Sequence, residues 1–262
     1  MFQTINLSGA MFRDWMKRMQ LNSNSNNNNN NFGKSEKLEA QFFEFVQNGE
    51  IGKVQELLIQ EPQLITKVDS VGRSALDLAC RFGHLQLVKL FVSQPNVQLN
   101  HINSLTATPF YVACQEGHVD VVEFLLTIPE IDINVRHKDG HSPLCKAAQE
   151  GNTEVVKLLL NDKRVNVAIG TTAGESAFYL ASSRGETECV KVLLKDLRID
   201  KNRQEVSGAT PLFHAAQDGH IDVVKWILGD QREVNFDATW SGRTALELFY
   251  YILKEMNNYK KL

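Results

Sequence analysis

Seven histidines and four cysteines are the side chains of this 262-residue chain best suited to holding a metal or acting as nucleophiles. Structural zinc draws its ligands in close pairs from tight turns. Cys80, Cys114, Cys145 and Cys189 offer no such pair, since none lies within ten residues of another. Cys80 and Cys114 stand where Ala148 and Ala216 stand elsewhere, so the thiols read as small buried apolar groups in a reducing compartment. His84, His118 and His220 each follow a glycine that recurs along the chain, which assigns them a structural place. His101, His137, His141 and His214 are scattered between them. No H-E-x-x-H, G-x-S-x-G or C-x-x-C sequence occurs. Gly33-Lys34-Ser35 matches the end of a phosphate-binding loop, but Asn28 stands where that loop needs its first glycine and no strand pattern precedes it. These residues imply no catalytic group, no cofactor and no metal, and the chain reads as a non-enzyme.

The bulk composition agrees with a soluble globular class. Apolar residues make up 43% and charged residues 23%, with a formal net charge of −3. That charge gives no general attraction to nucleic acid or to an anionic membrane. No apolar run approaches the roughly 20 residues needed to span a bilayer. The N-terminal stretch MFQTINLSGAMFRDWM has no basic region followed by an apolar core, so a cytoplasmic location is expected, with the nucleus as a second possibility.

What the chain does carry is a period. Gly49, Gly83, Gly117, Gly151, Gly185 and Gly219 are 34 residues apart, as are Val54, Val88, Val122, Val156, Val190 and Val224. Ser74, Thr108, Ser142, Ser176, Thr210 and Thr244 form a third series in the same register. Each hydroxyl can cap a helix, and Pro109, Pro143 and Pro211 follow at the first helical position, where a missing N–H is harmless. The periodic glycine, about nine residues on, is placed to end that helix in the left-handed conformation. A second helix then carries Asp120, Glu154, Glu188 or Asp222 in its first turn, and apolar residues at helical spacing. Asp139-Gly140, Ser207-Gly208 and Ser241-Gly242 are turn signals in the loops between units. Helix, tight turn, helix and hairpin loop cannot bury their own apolar faces, so neighbouring units must stack into one core.

Stretches such as GATPLFHAAQDGHIDVVKWIL and GHSPLCKAAQEGNTEVVKLLL resemble ankyrin repeats, whose pattern is G-x-T-P-L-H-x-A-A-x-x-G-H-x-x-V-V-x-L-L-L. The resemblance covers residues 36–262, about seven units, and implies an all-α repeat solenoid of stacked helix-turn-helix-hairpin repeats. The units fall near 36–69, 70–103, 104–137, 138–171, 172–205 and 206–239, with a C-terminal cap at 240–262. Three departures stand out. The repeat is one residue longer than the usual 33, with the extra residue after the second helix, as in TIPEIDIN (127–134). The histidine of T-P-L-H is replaced by Asp77, Tyr111, Cys145, Tyr179, Phe213 and Glu247, so packing there is expected to lean on aromatic and aliphatic contacts. Thr106 stands where a hairpin glycine belongs, which makes the second hairpin the one expected to deviate.

The ends differ from the middle. Unit one lacks the Thr-Pro start and the last lacks its glycine, as expected of caps, with Tyr250, Tyr251 and Ile252 closing the core. Residues 22–35 contain the tract NSNSNNNNNN and are expected to be a disordered linker. Before it, residues 1–21 form a short segment in which 10–21 could make a helix with Met11, Phe12, Trp15, Met16 and Met19 along one side.

In proteins similar to this one, partners dock on hairpin tips and the exposed, concave face of the first helices. Carried over residue by residue, the resemblance gives Arg73, Arg81, Phe82, Glu116, Lys138, His141, Glu150, Glu175, Arg184, Gln217, Asp218, Trp240 and Arg243 as the protein-binding set. The mixed signs along this row argue for a protein partner and against nucleic acid. The reading is a monomeric, non-catalytic scaffold or adaptor, without stable membrane insertion. The alternatives are a regulatory or inhibitor subunit, an assembly chaperone, or a membrane-tethered regulator using residues 10–21.

Overall fold

Five first helices begin in the same way. The hydroxyls of Ser74, Thr108, Ser142, Ser176 and Thr210 accept the backbone N–H of Asp77, Tyr111, Cys145, Tyr179 and Phe213 at 3.1–3.2 Å. Each such cap is worth about 1 kcal/mol. In the computed structural model, which describes residues 30–236, 238–240, 242–244, 247 and 250, these caps open α3 (Ala75–Arg81), α5 (Pro109–Glu116), α7 (Pro143–Gln149), α9 (Ala177–Arg184) and α11 (Pro211–Gln217). The six periodic glycines end the first helices with φ between 70° and 78°. The second helices follow: α2 (Ile51–Gln60), α4 (Leu85–Val92), α6 (Val119–Leu126), α8 (Thr153–Asn161), α10 (Thr187–Leu194) and α12 (Ile221–Gly229).

First helices pack on first helices of the neighbouring units and second helices on second helices, so the chain builds two helical layers. The periodic valines lie between the layers, fully buried or nearly so, in one core that runs from Phe42 to Ile227. The four cysteines are in that core as well, and burial pushes all four thiols up, which disfavours the reactive thiolate.

Polar bridges between units follow the same period. His84, His118 and His220 place Nε2 at 2.9, 2.9 and 3.1 Å from the carbonyls of Gln47, Arg81 and Ser183 in the unit before. Asn152 does the same work, donating to Cys114 and Gln115 carbonyls. At the fifth position stands Glu186, which lies against Gly151 as the others lie against their glycines but has no N–H to donate. Glu186→His is therefore expected to raise stability by about 1 kcal/mol, the usual net worth of a hydrogen bond. Urea titration of both proteins checks this, and an unchanged or lower midpoint contradicts it.

The longer loop after the second helix holds a second bridge. Arg164, Arg198 and Arg232, 34 residues apart, donate Nη2 to the Leu126, Leu160 and Leu194 carbonyls at 2.7–2.8 Å, which closes the C-terminal end of the preceding second helix. Asp162, Asp196 and Asp230, two residues earlier, hold each guanidinium. Asn100, Asn134 and Asn202 form a third series, each donating to a carbonyl and accepting an N–H of the next unit.

Four expectations are corrected or bounded. The first helix, α1, runs Asn30–Gln47, so its start lies inside the segment expected to be linker, and Gly33-Lys34-Ser35 is helical. The Thr106 hairpin forms like the others: Thr106 takes φ 64°, and its N–H reaches the Asn103 carbonyl at 2.8 Å. Asp77 does not replace the family histidine by apolar packing but closes a polar capping box with Ser74. Tyr250 is 72% exposed rather than closing the core, while Tyr251 and Ile252, like the 10–21 segment, lie outside the described residues.

Candidate functional site

Between the hairpin tips and the first helices of units 70–103 and 104–137, reaching to the hairpin of the next unit, lies a recess of about 310 Å³. Arg73, Asp77 and Arg81 come from the first of these units, and Asn103, Leu105, Ala107, Tyr111, Val112 and Gln115 from the second hairpin and α5. His137, Lys138 and Asp139 close it from the third hairpin.

Its floor is a satisfied polar network. The buried Asp77 carboxylate accepts the Ser74 N–H and hydroxyl at 2.8 and 2.7 Å and the Asn103 amide at 3.2 Å. Burial pushes the Asp77 carboxyl up, against the opposing pull of the Ser74 bonds and of His101. Asn103 in turn accepts the N–H groups of Leu105 and Ala107, so the floor also shapes the hairpin. One wall is the Tyr111 ring, stacked on His137 with centroids 5.5 Å apart and planes at 15°. Burial and then the Asp139 charge push the Tyr111 hydroxyl well above its ordinary range, so it stays a neutral donor.

The rim carries the charge. Arg73 is held by Asp69, Nε and Nη2 lying 2.7 and 2.6 Å from Oδ2, which locks it into its own hairpin. Arg81 lies 3.8 Å from Glu116, too far for a hydrogen bond. Lys138 is exposed and has no ion pair among the described residues, and Leu105 beside it is 53% exposed.

Three members of the set expected to bind, Arg73, Arg81 and Lys138, thus meet in one recess, with Glu116 at its edge. The others spread along the row. Phe82 is exposed beside the recess, its ring 6.1 Å from that of His84. His141 is half-buried, and burial with the nearby Lys146 charge pushes its imidazole down. Glu150 pairs with Lys146, and Glu175 accepts the Thr171 hydroxyl within its hairpin. Arg184, Gln217, Asp218 and Arg243 are exposed. Trp240 pairs with Arg243 across the short strands Thr239–Trp240 and Arg243–Thr244; its side chain lies outside what is described. Sequence reasoning did not single out Tyr111, Asn103 or His137; the departure from T-P-L-H at Tyr111 was the available signal.

A larger depression, about 480 Å³, is lined by Lys191, Lys195, Lys225 and Trp226 on the second helices. Trp226 stands at the 34-residue place of Leu90, Phe124, Leu158 and Val192, which are half-buried against the core, so this depression is the open end of the described stack. Among the described residues no cluster of His, Cys, Asp and Glu is placed to hold a metal, and no helix is long and apolar enough to cross a membrane.

A family model described as ankyrin repeats (3 copies) matches residues 42–137 and 127–205, and one described as ankyrin repeat matches 207–239. These matches cover well over half of the chain and stop short of the unit at 240–262. No curated protein matches the chain.

Proposed function

The chain belongs to the ankyrin-repeat family, and from that premise we propose that it is a non-catalytic scaffold or adaptor gripping a protein partner along its first helices and hairpin tips. Ankyrin repeats are generally protein–protein interaction modules. The observation that supports this reading is the recess itself, where Arg81, Lys138 and Leu105 stand over a floor of bonded polar groups. Caps and inter-unit bridges hold the main chain that presents these side chains, so binding orders little of the backbone and loses little of its entropy. Arginine and aromatic groups at such a rim are the usual anchors of an interface.

Photo-crosslinking in the native cell tests the proposal. A benzoylphenylalanine at Gln115 or Gln149, on the first helices, is expected to capture a partner. The same group at Glu123 or Lys157, exposed on the second helices, is expected to capture none. Equal capture from both layers overturns the assignment of the face.

A further inference from the structure

Each unit after the first is covered by its predecessor, and two contacts show which side that is. Arg81 lies 3.8 Å from Glu116 of the next unit, and the Lys89 ammonium lies 5.5 Å from the centre of the Phe124 ring of the next unit. The side of a unit that carries Glu116 and Phe124 therefore faces back along the stack. Two periods earlier those places are Asn48 on α1 and Glu56 on α2. Glu44 shares the Asn48 side of its helix at i,i+4 spacing, and Ile59 the Glu56 side at i,i+3. All four are exposed.

That face is not finished as a polar cap. Where later units carry Ala79, Ala113, Ala147, Ala181 and Ala215, all fully buried, unit one carries the half-buried Phe45. Lys53, exposed at the place of the buried Leu87 and Val121, covers part of that ring with its Nζ 4.7 Å from the centroid. Ile59 is 81% exposed, where later units hold Ser93, Thr127, Asn161 and Lys195. A terminal repeat that met only water would keep a polar residue there. The carboxylates of Glu44, Glu50 and Glu56 outnumber the ammoniums of Lys37 and Lys53 on this face, and Glu44 and Glu56 have no ion pair among the described residues.

We propose that this face is the docking site of the chain's own residues 10–21, packed as an amphipathic helix that covers Phe45 and sets Trp15 against Ile59. The segment itself lies outside the described residues. Its apolar residues, Met11, Phe12, Trp15, Met16 and Met19, share one side of a helix, with Trp15 in the middle. Arg13, Lys17 and Arg18 outnumber Asp14, so a basic helix meets an acidic face. Lys53 and Ile59 are separated by about 9 Å along α2, within the roughly 18 Å that a helix over 10–21 spans. Residues 22–29 join the segment to Asn30 at the start of α1. Those residues reach at most about 28 Å, enough to lay the segment back along α1, itself about 27 Å long. So short a helix is marginal in water, so its folding is coupled to docking. The Asn-rich tract is then the loop between this helix and the first unit. The face is the end of the stack and stands apart from the binding row on the first helices.

Benzoylphenylalanine at position 59 of the full chain is expected to cross-link within one chain, to residues 10–21 as mapped by mass spectrometry. Hydrogen exchange supplies the energetic readout. Trp15→Ala is expected to speed exchange of the Val54–Gln60 amides about tenfold and to leave α8 unchanged, since burying one large apolar side chain changes a local opening by at least that factor. In an Ile59→Ala background the same substitution is expected to have a smaller effect, because the two side chains share one contact. A cross-link at twice the chain mass gives the face to a second copy and overturns the proposal, as does the absence of any cross-link to 10–21. Protection of α2 by the segment that appears only with phosphatidylserine vesicles gives the segment to a membrane and overturns it too. Unchanged α2 exchange in Trp15→Ala overturns it whatever the cross-link shows.

Discussion

Gly140→Ala is expected to destabilise the stack by about 3 kcal/mol or more, and Gly219→Ala by only about 1 kcal/mol. Both glycines have positive φ, 82° and 75°, so both substitutions carry left-handed strain. They differ in what the new methyl meets. At Gly140 a Cβ would lie 2.5 Å from the Thr172 nitrogen and 2.8 Å from the Thr171 carbonyl carbon, which is backbone of the next hairpin. That backbone is itself held by the Thr172 N–H to Asp139 bond, so it cannot withdraw without losing the junction. At Gly219 nothing lies within 4 Å among the described residues. Gly83→Ala falls between: its Cβ would be 2.5 Å from the His118 ring, a side chain that can swing away at the cost of its bond to Arg81. Urea midpoints for the three variants check the order. Three equal losses would show that left-handed strain alone decides the cost, and that the close approach of the hairpins contributes nothing. Because each unit touches only its neighbours, the Gly140 variant should also broaden the transition.

The repeat frame was legible because its physics is local. A hydroxyl, a proline at the first helical position and a glycine nine residues on each act within one turn, and the structure places Ser74, Thr108, Gly117 and Gly185 in those roles. The bridges between units were less visible, although Asp162-x-Arg164, Asp196-x-Arg198 and Asp230-x-Arg232 repeat at the same 34-residue spacing. Their target is a carbonyl 38 residues back, which a pattern of residue types cannot name. Asn30 lies in a tract whose composition argues for disorder, yet the helix that carries Phe42 and Val46 into the core extends back to it. The recess needed three hairpins in register, so Arg73, Arg81 and Lys138 could be placed on the row but not grouped. Arg73 was carried over as a binding residue, and the structure shows Asp69 holding it. Thr106 was flagged as a departure, and the reason for it, the Lys138 N–H, lies 32 residues away.

Lys201→Met is expected to cost about 3 kcal/mol at pH 6, the usual loss when one partner of a buried ion pair is removed. In earlier units the same place holds Leu99, Ile133 and Val167, so the period alone would make Lys201 an error in the core. It is only 3% exposed, and its ammonium lies 2.9 Å from Asp230 Oδ1 and 2.6 Å from the Arg232 carbonyl. The Ile227 and Asp230 carbonyls are each 3.4 Å away, at the C-terminal end of α12. Three of the other second helices, α6, α8 and α10, have that end closed by an arginine of the unit that follows; α12 is served by a lysine of the unit before it. Methionine fills the volume but leaves those carbonyls and half of the Asp230 contacts unmet, since Arg232 still holds Asp230. The pH dependence tests this account. Burial raises the Asp230 carboxyl, but the bonds from Arg232 and Lys201 outweigh it and bring it from 3.8 down to about 2. A lowered folded-state pKa gives stability that is present above about pH 4 and lost as pH falls through about 2. The shift corresponds to about 2 kcal/mol, shared between Arg232 and Lys201, so roughly half of it belongs to the lysine. The difference between Lys201→Met and the parent chain should therefore shrink by about 0.5 kcal/mol between pH 6 and pH 2.5, with the rest lost only below about pH 2. Denaturant titrations at the two pH values decide it. A constant difference would assign the whole effect to the carbonyls, and no loss at pH 6 would mean that the last helix needs no donor from the unit before it.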